Sequence, residues 1–200
     1  MIMTEHLARV EKKRKVAWGI TGSGDRLPET IDIMKKIRKE YQNEVDLRVF
    51  LSKAGEQILR WYKLHEPLKQ NFEKVLVELN SNSPFLAGDL ELGKFEFLLI
   101  APATSNTVAK IAAGITDTLL CNSAIMALKA SVPVYIMPSD YKEGTLTTRL
   151  PDGKDLALRV RKEDAENTRK LSLMENVFLL EKPEDICDVF KKHFSPKEQR

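Results

Sequence analysis

Apolar residues in this chain fall in short dense runs, separated by longer stretches where they recur every three or four positions. Residues 16–20, VAWGI, form a nearly unbroken apolar run that stops at TGSG, residues 21–24. Such a run predicts a strand buried on both faces and closed by a tight turn. Residues 28–41 follow with Ile31, Ile33, Met34, Ile37 and Tyr41 near helical spacing, and Pro28 suits a first helical turn. Residues 45–51 predict a second strand with Ser52 at its end, and residues 55–64 a helix apolar on one side. Residues 66–84 fit a helix followed by a short strand at 75–79. The clearest strand is 95–101, FEFLLIA, which runs into PATSNT at 102–107. A helix starts there, because Ser105 or Asn106 can cap it and Val108, Ile111 and Ala112 follow at helical spacing. A second helical segment runs from Asp117 to Ala130, and residues 132–137 predict another buried strand.

Strands alternating with helices predict an α/β fold: a Rossmann-like parallel sheet with helices on both faces. After Pro138 the pattern changes. Residues 145–160 carry PDG at 151–153 between two partly alternating runs, Leu146/Thr148/Leu150 and Leu156/Leu158/Val160. That predicts a β-hairpin excursion after the last core strand. A polar helix over 162–174, a short strand over 177–180 and a helix over 183–194 complete the pattern, with a frayed tail over 195–200. There is no internal repeat, and 200 residues read as a single domain, 1–200.

Composition narrows the function classes. No apolar run approaches the length of a membrane span, and residues 1–14 are charged and lack the apolar stretch of a secretory signal. The expectation is a cytoplasmic protein with no membrane partner. Thirty-two basic against 29 acidic residues leave a net charge of +3, too small to argue for nucleic acid. The one dense basic run, Lys12, Lys13, Arg14 and Lys15, reads as a solvated lead-in to the first strand; steering toward an acidic partner is the alternative. Cys121 and Cys187 form no CxxC pair, and His6, His65 and His193 are scattered, so no metal site is expected.

Three loops can carry chemistry, because the carboxyl ends of adjacent strands in a doubly wound sheet open on one crevice. Thr21, Gly22, Ser23 and Gly24 combine glycines that allow close approach with hydroxyls and amides that can surround an anion. The spacing is neither GxGxxG nor GxxxxGKS/T, so the loop alone is a weak signal. Ser52 and Lys53 offer a hydroxyl and a cation beside it, with an N-cap serine as the equal alternative. Ala103, Thr104, Ser105, Asn106 and Thr107 put four polar side chains in one arc after a small residue. A capping loop needs one such residue, and the excess suits a flat ring with imide and carbonyl groups.

Residues 101–120, APATSNTVAKIAAGITDTLL, resemble the PASANT segment and its continuation in the homo-oligomeric flavin-containing cysteine decarboxylase superfamily, with Gly114 and Asp117 adding to the match. Within it the chain looks closest to archaeal flavoproteins of the AfpA type, and more loosely to flavin-dependent dihydromethanopterin reductases. The resemblance implies FMN, with Thr21, Gly22, Ser23 and Ser52 at its phosphate and Thr104, Ser105, Asn106 and Thr107 at its ring and ribityl side. It also implies a homo-oligomer with FMN near the subunit interface. The apolar composition of 117–130 points the same way, since one sheet face would not cover it.

Departures from the superfamily shape the expected activity. Its peptidyl-cysteine and phosphopantothenoylcysteine decarboxylases carry a PxMxxxMW clamp after the last core strand, where this chain has MPSDYKEG at 137–144. The histidine those enzymes use after the second strand has no match in context, since His65 lies in YKLHEP at 62–67. The expected activity is therefore an FMN oxidoreductase that takes electrons from a carrier such as ferredoxin and passes them to a small-molecule acceptor, a pterin being one candidate. An FMN-dependent lyase or prenyltransferase and a non-catalytic flavin carrier are the alternatives. No residue is singled out as catalytic, since electron exchange lives mainly in the flavin ring.

Overall fold

The computed structural model describes residues 12–194. His6, the tail at 195–200 and most of the charged N-terminal segment lie outside them. Strand β1 (Arg14–Ile20) leads through the TGSG loop into helix α1 (Leu27–Glu40). Strand β2 (Val45–Leu51) is followed by α2 (Lys53–Trp61) and α3 (His65–Asn71), then by the short strand β3 (Val75–Val77). Helix α4 (Leu86–Glu91) precedes β4 (Phe97–Ala103), α5 (Ser105–Ala112) and α6 (Leu119–Lys129). Strand β5 (Val134–Pro138) leads to the hairpin β6 (Gly144–Arg149) and β7 (Asp155–Val160), and α7 (Lys162–Ser172), β8 (Val177–Leu179) and α8 (Asp185–Phe194) finish the described chain.

Six strands form one sheet in the order β3-β2-β1-β4-β5-β8, every adjacent pair parallel. The predicted α/β Rossmann-like sheet is thus the one observed. Strands β6 and β7 pair antiparallel as a separate hairpin, as expected for the excursion after β5. The period-two side-chain alternation of a strand divides the core. Val16, Trp18 and Ile20 of β1 and Phe97, Leu99 and Ala101 of β4 face a cluster closed by α1, α8, Leu59 of α2 and Leu68 of α3. Ala17, Leu98 and Ile100 face the other cluster, closed by α4, α5, α6 and Leu171 of α7.

Trp18 shows how the centre is held. Its side chain is fully buried, its indole Nε1 donates to the Ala101 carbonyl at 2.8 Å, and its ring meets Phe72 edge-on at 5.3 Å. Truncation of such a residue to Ala costs about 3–5 kcal/mol.

Two readings need adjustment. Helix α4 was not anticipated, because LAGDLE is too short to display a helical period. Helix α6 starts at Leu119, with Thr118 as its cap accepting from the Cys121 amide, so Asp117 stands just outside it. Much of the apolar surface of α6 packs on the sheet and lies against α4 and α5. Its composition is therefore largely accounted for inside one chain.

Candidate functional site

Strands β2, β1, β4 and β5 are neighbours, so the loops after them share the carboxyl edge of the sheet. The order of strands reverses between β1 and β4, the chain adding β2 and β3 on one side and β5 and β8 on the other, and open α/β sheets bind ligands at that point.

Thr21 stitches this edge together. It is 2% exposed, its hydroxyl donates to the Pro102 carbonyl at 2.8 Å and accepts from the Thr104 amide at 2.9 Å, and its own amide reaches the same carbonyl. Its hydroxyl is therefore committed to the protein, and an anion at this edge would be met by the residues beyond it. The amides of Gly22, Ser23 and Gly24 are free for that purpose: among the described residues none of them donates a hydrogen bond. Three consecutive unpaired amides leave N–H donors available to an anion at this edge. Gly22 is required by packing, since a Cβ there would come 2.7 Å from the Cβ of Ala54. Gly24 lies against the Tyr62 ring.

Ser52 is the N-cap of α2, its Oγ accepting from the Gly55 amide at 2.9 Å, while its amide donates to the Ile20 carbonyl. The capping reading thus holds, and the hydroxyl proton remains available to a ligand. Gly55 lets α2 approach β1 closely, because any Cβ there would overlap the Ile20 carbonyl oxygen. The Lys53 side chain is exposed, with no ion pair among the described residues, but its amide donates to Glu78 Oε2 at 3.2 Å.

Thr104 caps α5, accepting from the Thr107 amide and sharing a 3.1 Å hydrogen bond between the two hydroxyls. Thr104 and the buried Thr107 are thus partly engaged with each other. Ser105 and Asn106, in the first helical turn, make no side-chain hydrogen bond within the described chain. Their amides have no intrahelical acceptor either, because they are the first two of the helix. Ala103 is fully buried beneath them. Asp117 is exposed and paired with Lys110 at 2.8 Å.

Two residues that the sequence did not single out belong to this edge. Ser139, after β5, hydrogen bonds Ser23 Oγ at 2.6 Å and donates its amide to the Ala103 carbonyl. Glu78, 7% exposed at the end of β3, accepts from the first amide of α2 and from the first amide of α6, Leu119, at 2.9 Å. A carboxylate between two helix N-termini is favoured by both dipoles. Polar residues following short apolar runs were the available signal for each.

Cys121 is buried against the Thr107 carbonyl, and burial pushes its thiol up, with Thr118 and Lys110 opposing. His65 is buried too, its Nδ1 on Glu66 at 2.9 Å and its Nε2 without a hydrogen bond. Among the described residues no group of His, Cys, Asp and Glu is placed to hold a metal, and no helix is long and apolar enough to cross a membrane.

Free amides at 22–24, two helix N-termini and unpartnered polar side chains thus lie along one edge of the sheet. The profile of the Flavoprotein family matches residues 4–196. The chain belongs to the Flavoprotein family. This flavoprotein is 50% identical over 186 residues to an uncharacterised protein of Methanocaldococcus jannaschii, covering 93% of this chain and 99% of that one. It is 31% identical, over an aligned length of 236, to the dihydromethanopterin reductase (acceptor) of the same organism, covering 88% and 95% of the two chains. Among solved structures it is similar to Burkholderia xenovorans DmrB in complex with FMN, described as a cubic protein cage for redox transfer. The TM-score is 0.76 and the identity 31%, over 92% of this flavoprotein and 97% of DmrB.

Proposed function

We propose that this flavoprotein is an FMN-dependent oxidoreductase that takes electrons from a reduced carrier protein such as ferredoxin and delivers them to a small molecule of the pterin class. The observation that carries the reading is the run of free amides at 22–24 beside the unpartnered Ser105 and Asn106. The donor set fits FMN: a run of free N–H groups for the phosphate, and a carboxamide with both donors and an acceptor for the ring edge. Gly22, Ser23, Gly24 and the Ser52 hydroxyl would hold the phosphate. Ser105 and Asn106 would meet the ring and ribityl side, with Thr104 and Thr107 shaping the turn that presents them. When bound, FMN supplies the electron exchange through its ring.

The chain's own residues then bind, orient and exclude water. Thr21 ties the ends of β1 and β4 together and so fixes the spacing of the two loops. The dihydromethanopterin reductase and DmrB relationships support redox chemistry with a pterin. Against a lyase stands the MPSDYKEG segment, which lacks the decarboxylase clamp. The reading includes assembly into a homo-oligomer with FMN near the subunit interface, action in the cytoplasm, a single domain over 1–200 and a place among the AfpA-type proteins.

The test is purification followed by a visible spectrum and single-turnover reactions. Expected are flavin bands with one FMN per chain, and reoxidation of the reduced protein by a dihydropterin. A colourless protein that takes up no FMN would overturn the cofactor assignment. A flavin-loaded protein that ignores dihydropterins but decarboxylates cysteine-ended peptides would overturn the reaction.

A further inference from the structure

Asp25 stands at the junction of two clefts on the carboxyl edge of the sheet. One, of about 290 Å³, is bounded by Pro102, Pro138, Ser139 and the start of the hairpin. The other, of about 620 Å³, lies between Asp25, Pro28, Tyr62 and strand β6. Both are lined by Asp25, Arg26 and Leu146. The larger falls within the size range of small-molecule sites. The hairpin that forms its outer wall is tied to α2's end by the Tyr62 hydroxyl, which donates to the Arg149 carbonyl at 2.9 Å.

The Asp25 backbone is fixed to the flavin loop, its amide donating to Ser23 Oγ at 3.2 Å. Its carboxyl, by contrast, makes no hydrogen bond or salt bridge among the described residues. The neighbouring Arg26 sends its guanidinium elsewhere, to the Glu181 carbonyl at 2.8 Å. Burial pushes the Asp25 carboxyl up from its ordinary range; Arg26 works against this, and Glu29 and Asp140 add to it. A half-buried carboxylate with no partner is costly in the free protein, and a ligand that brings N–H donors relieves that cost.

We infer that Asp25 is the specificity residue for the acceptor, its carboxylate pairing side by side with the amino group and ring N–H of a 2-amino-4-oxopyrimidine edge. The inference rests on the proposed pterin reading and assigns it a residue and a cleft. Two parallel N–H groups on a planar amidine-like edge match the two oxygens of a carboxylate, the geometry that makes such pairs strong and selective. The same cleft offers the Tyr62 ring and the Leu146 side chain as walls for a flat heterocycle. Its place beside Ser23 puts that heterocycle next to the loop assigned to the flavin.

The test uses the FMN-loaded protein and two probes, 6-methylpterin and the matching lumazine, in which oxygen replaces the 2-amino group. Equilibrium binding of each is measured on wild type and on Asp25→Asn, with FMN content read from the flavin absorbance. Expected are unchanged FMN content, at least tenfold weaker 6-methylpterin binding in the variant, and lumazine binding that is weak in both. Equal pterin binding by the two proteins, a parallel loss for both probes, or no pterin binding by wild type would overturn the pairing. Failure of the wider reading is seen separately: a wild type that binds pterin without ever passing it electrons contradicts the reaction and leaves the pairing standing.

Discussion

Thr21 and Thr104 are joined by a 2.9 Å hydrogen bond in which the hydroxyl ending β1 accepts from the amide that opens α5. The same hydroxyl donates to the Pro102 carbonyl, so one oxygen links the two central strands at the edge where the ligand is assigned. Thr21→Val keeps the shape and removes both bonds, leaving the half-buried Thr104 amide short of a partner. Unfolding by urea should show a loss of about 1–3 kcal/mol, with FMN affinity falling alongside. Thr21→Ser should recover most of both. A valine variant as stable as wild type would show the stitch to be incidental.

Asn106→Asp separates a ligand role from a capping role. The Asn106 side chain has no partner within the described chain, and it lies at the second position of α5. A carboxylate in a first helical turn is favoured by the helix dipole, so the flavin-free protein should be unchanged or more stable by about 0.3–1 kcal/mol. FMN binding should weaken by about 1–3 kcal/mol as the amide donors are lost. A carboxylate beside a ring edge that gains charge on reduction should also lower the midpoint potential by tens of millivolts, where about 30 mV is about 1.4 kcal/mol for two electrons. Spectroelectrochemistry checks the sign. An unmoved potential with full FMN affinity would remove Asn106 from the site.

Glu78→Gln tests the buried bridge between α2 and α6. Both carboxylate oxygens accept amide protons, from Lys53 and from Leu119. A carboxamide has one oxygen, so its NH₂ would face an N–H and one amide would lose its acceptor. The expected cost is about 1–3 kcal/mol in chemical unfolding, with faster hydrogen exchange at the Lys53 and Leu119 amides. Unchanged exchange at both positions would contradict the bridge.

Asp164 gives a pH-dependent contribution whose sign is set by Arg161. The guanidinium holds the Asp164 carboxyl below its ordinary value through two hydrogen bonds, at 2.7 and 2.8 Å. A folded-state value below the unfolded one means stability present above the unfolded value, near pH 3.9, and lost as pH falls through the folded one. Because Arg161 is largely exposed, water screens the pair and its contribution is small. Asp164→Asn should therefore destabilise slightly at pH 7, and the difference from wild type should close as pH falls through the folded-state value. A difference that stays constant with pH would assign the effect to packing.

The sheet, its order of strands and helices and the hairpin were legible because both-face burial and helical periodicity leave plain marks, as in FEFLLIA and residues 28–41. The loops were legible by position, after apolar runs. What could not be read was how each polar group is used. Thr21 and Ser23 look alike in TGSG, yet one hydroxyl is consumed by Pro102 and Thr104 and the other by Ser139. Glu78 is a charged residue after a three-residue strand, and only the convergence of α2 and α6 in space makes it a bridge. Helix α4 is held by Leu86, Ala87 and Leu90 against the core, a tertiary cause with no local period.

A methyl group at position 55 would strike the Ile20 carbonyl oxygen and come 3.0 Å from its carbon. Carbonyl backbone in the middle of a parallel sheet does not yield, so α2 itself would have to rise. Ser52 is its first anchor and Ala54 faces Gly22, so the lift would be transmitted to the loop that carries the free amides. Glycine here acts as a shim of zero thickness. The aperture between the first two loops is gauged by an atom that is missing, and Gly55→Ala would work as a wedge driven in from behind Ser52.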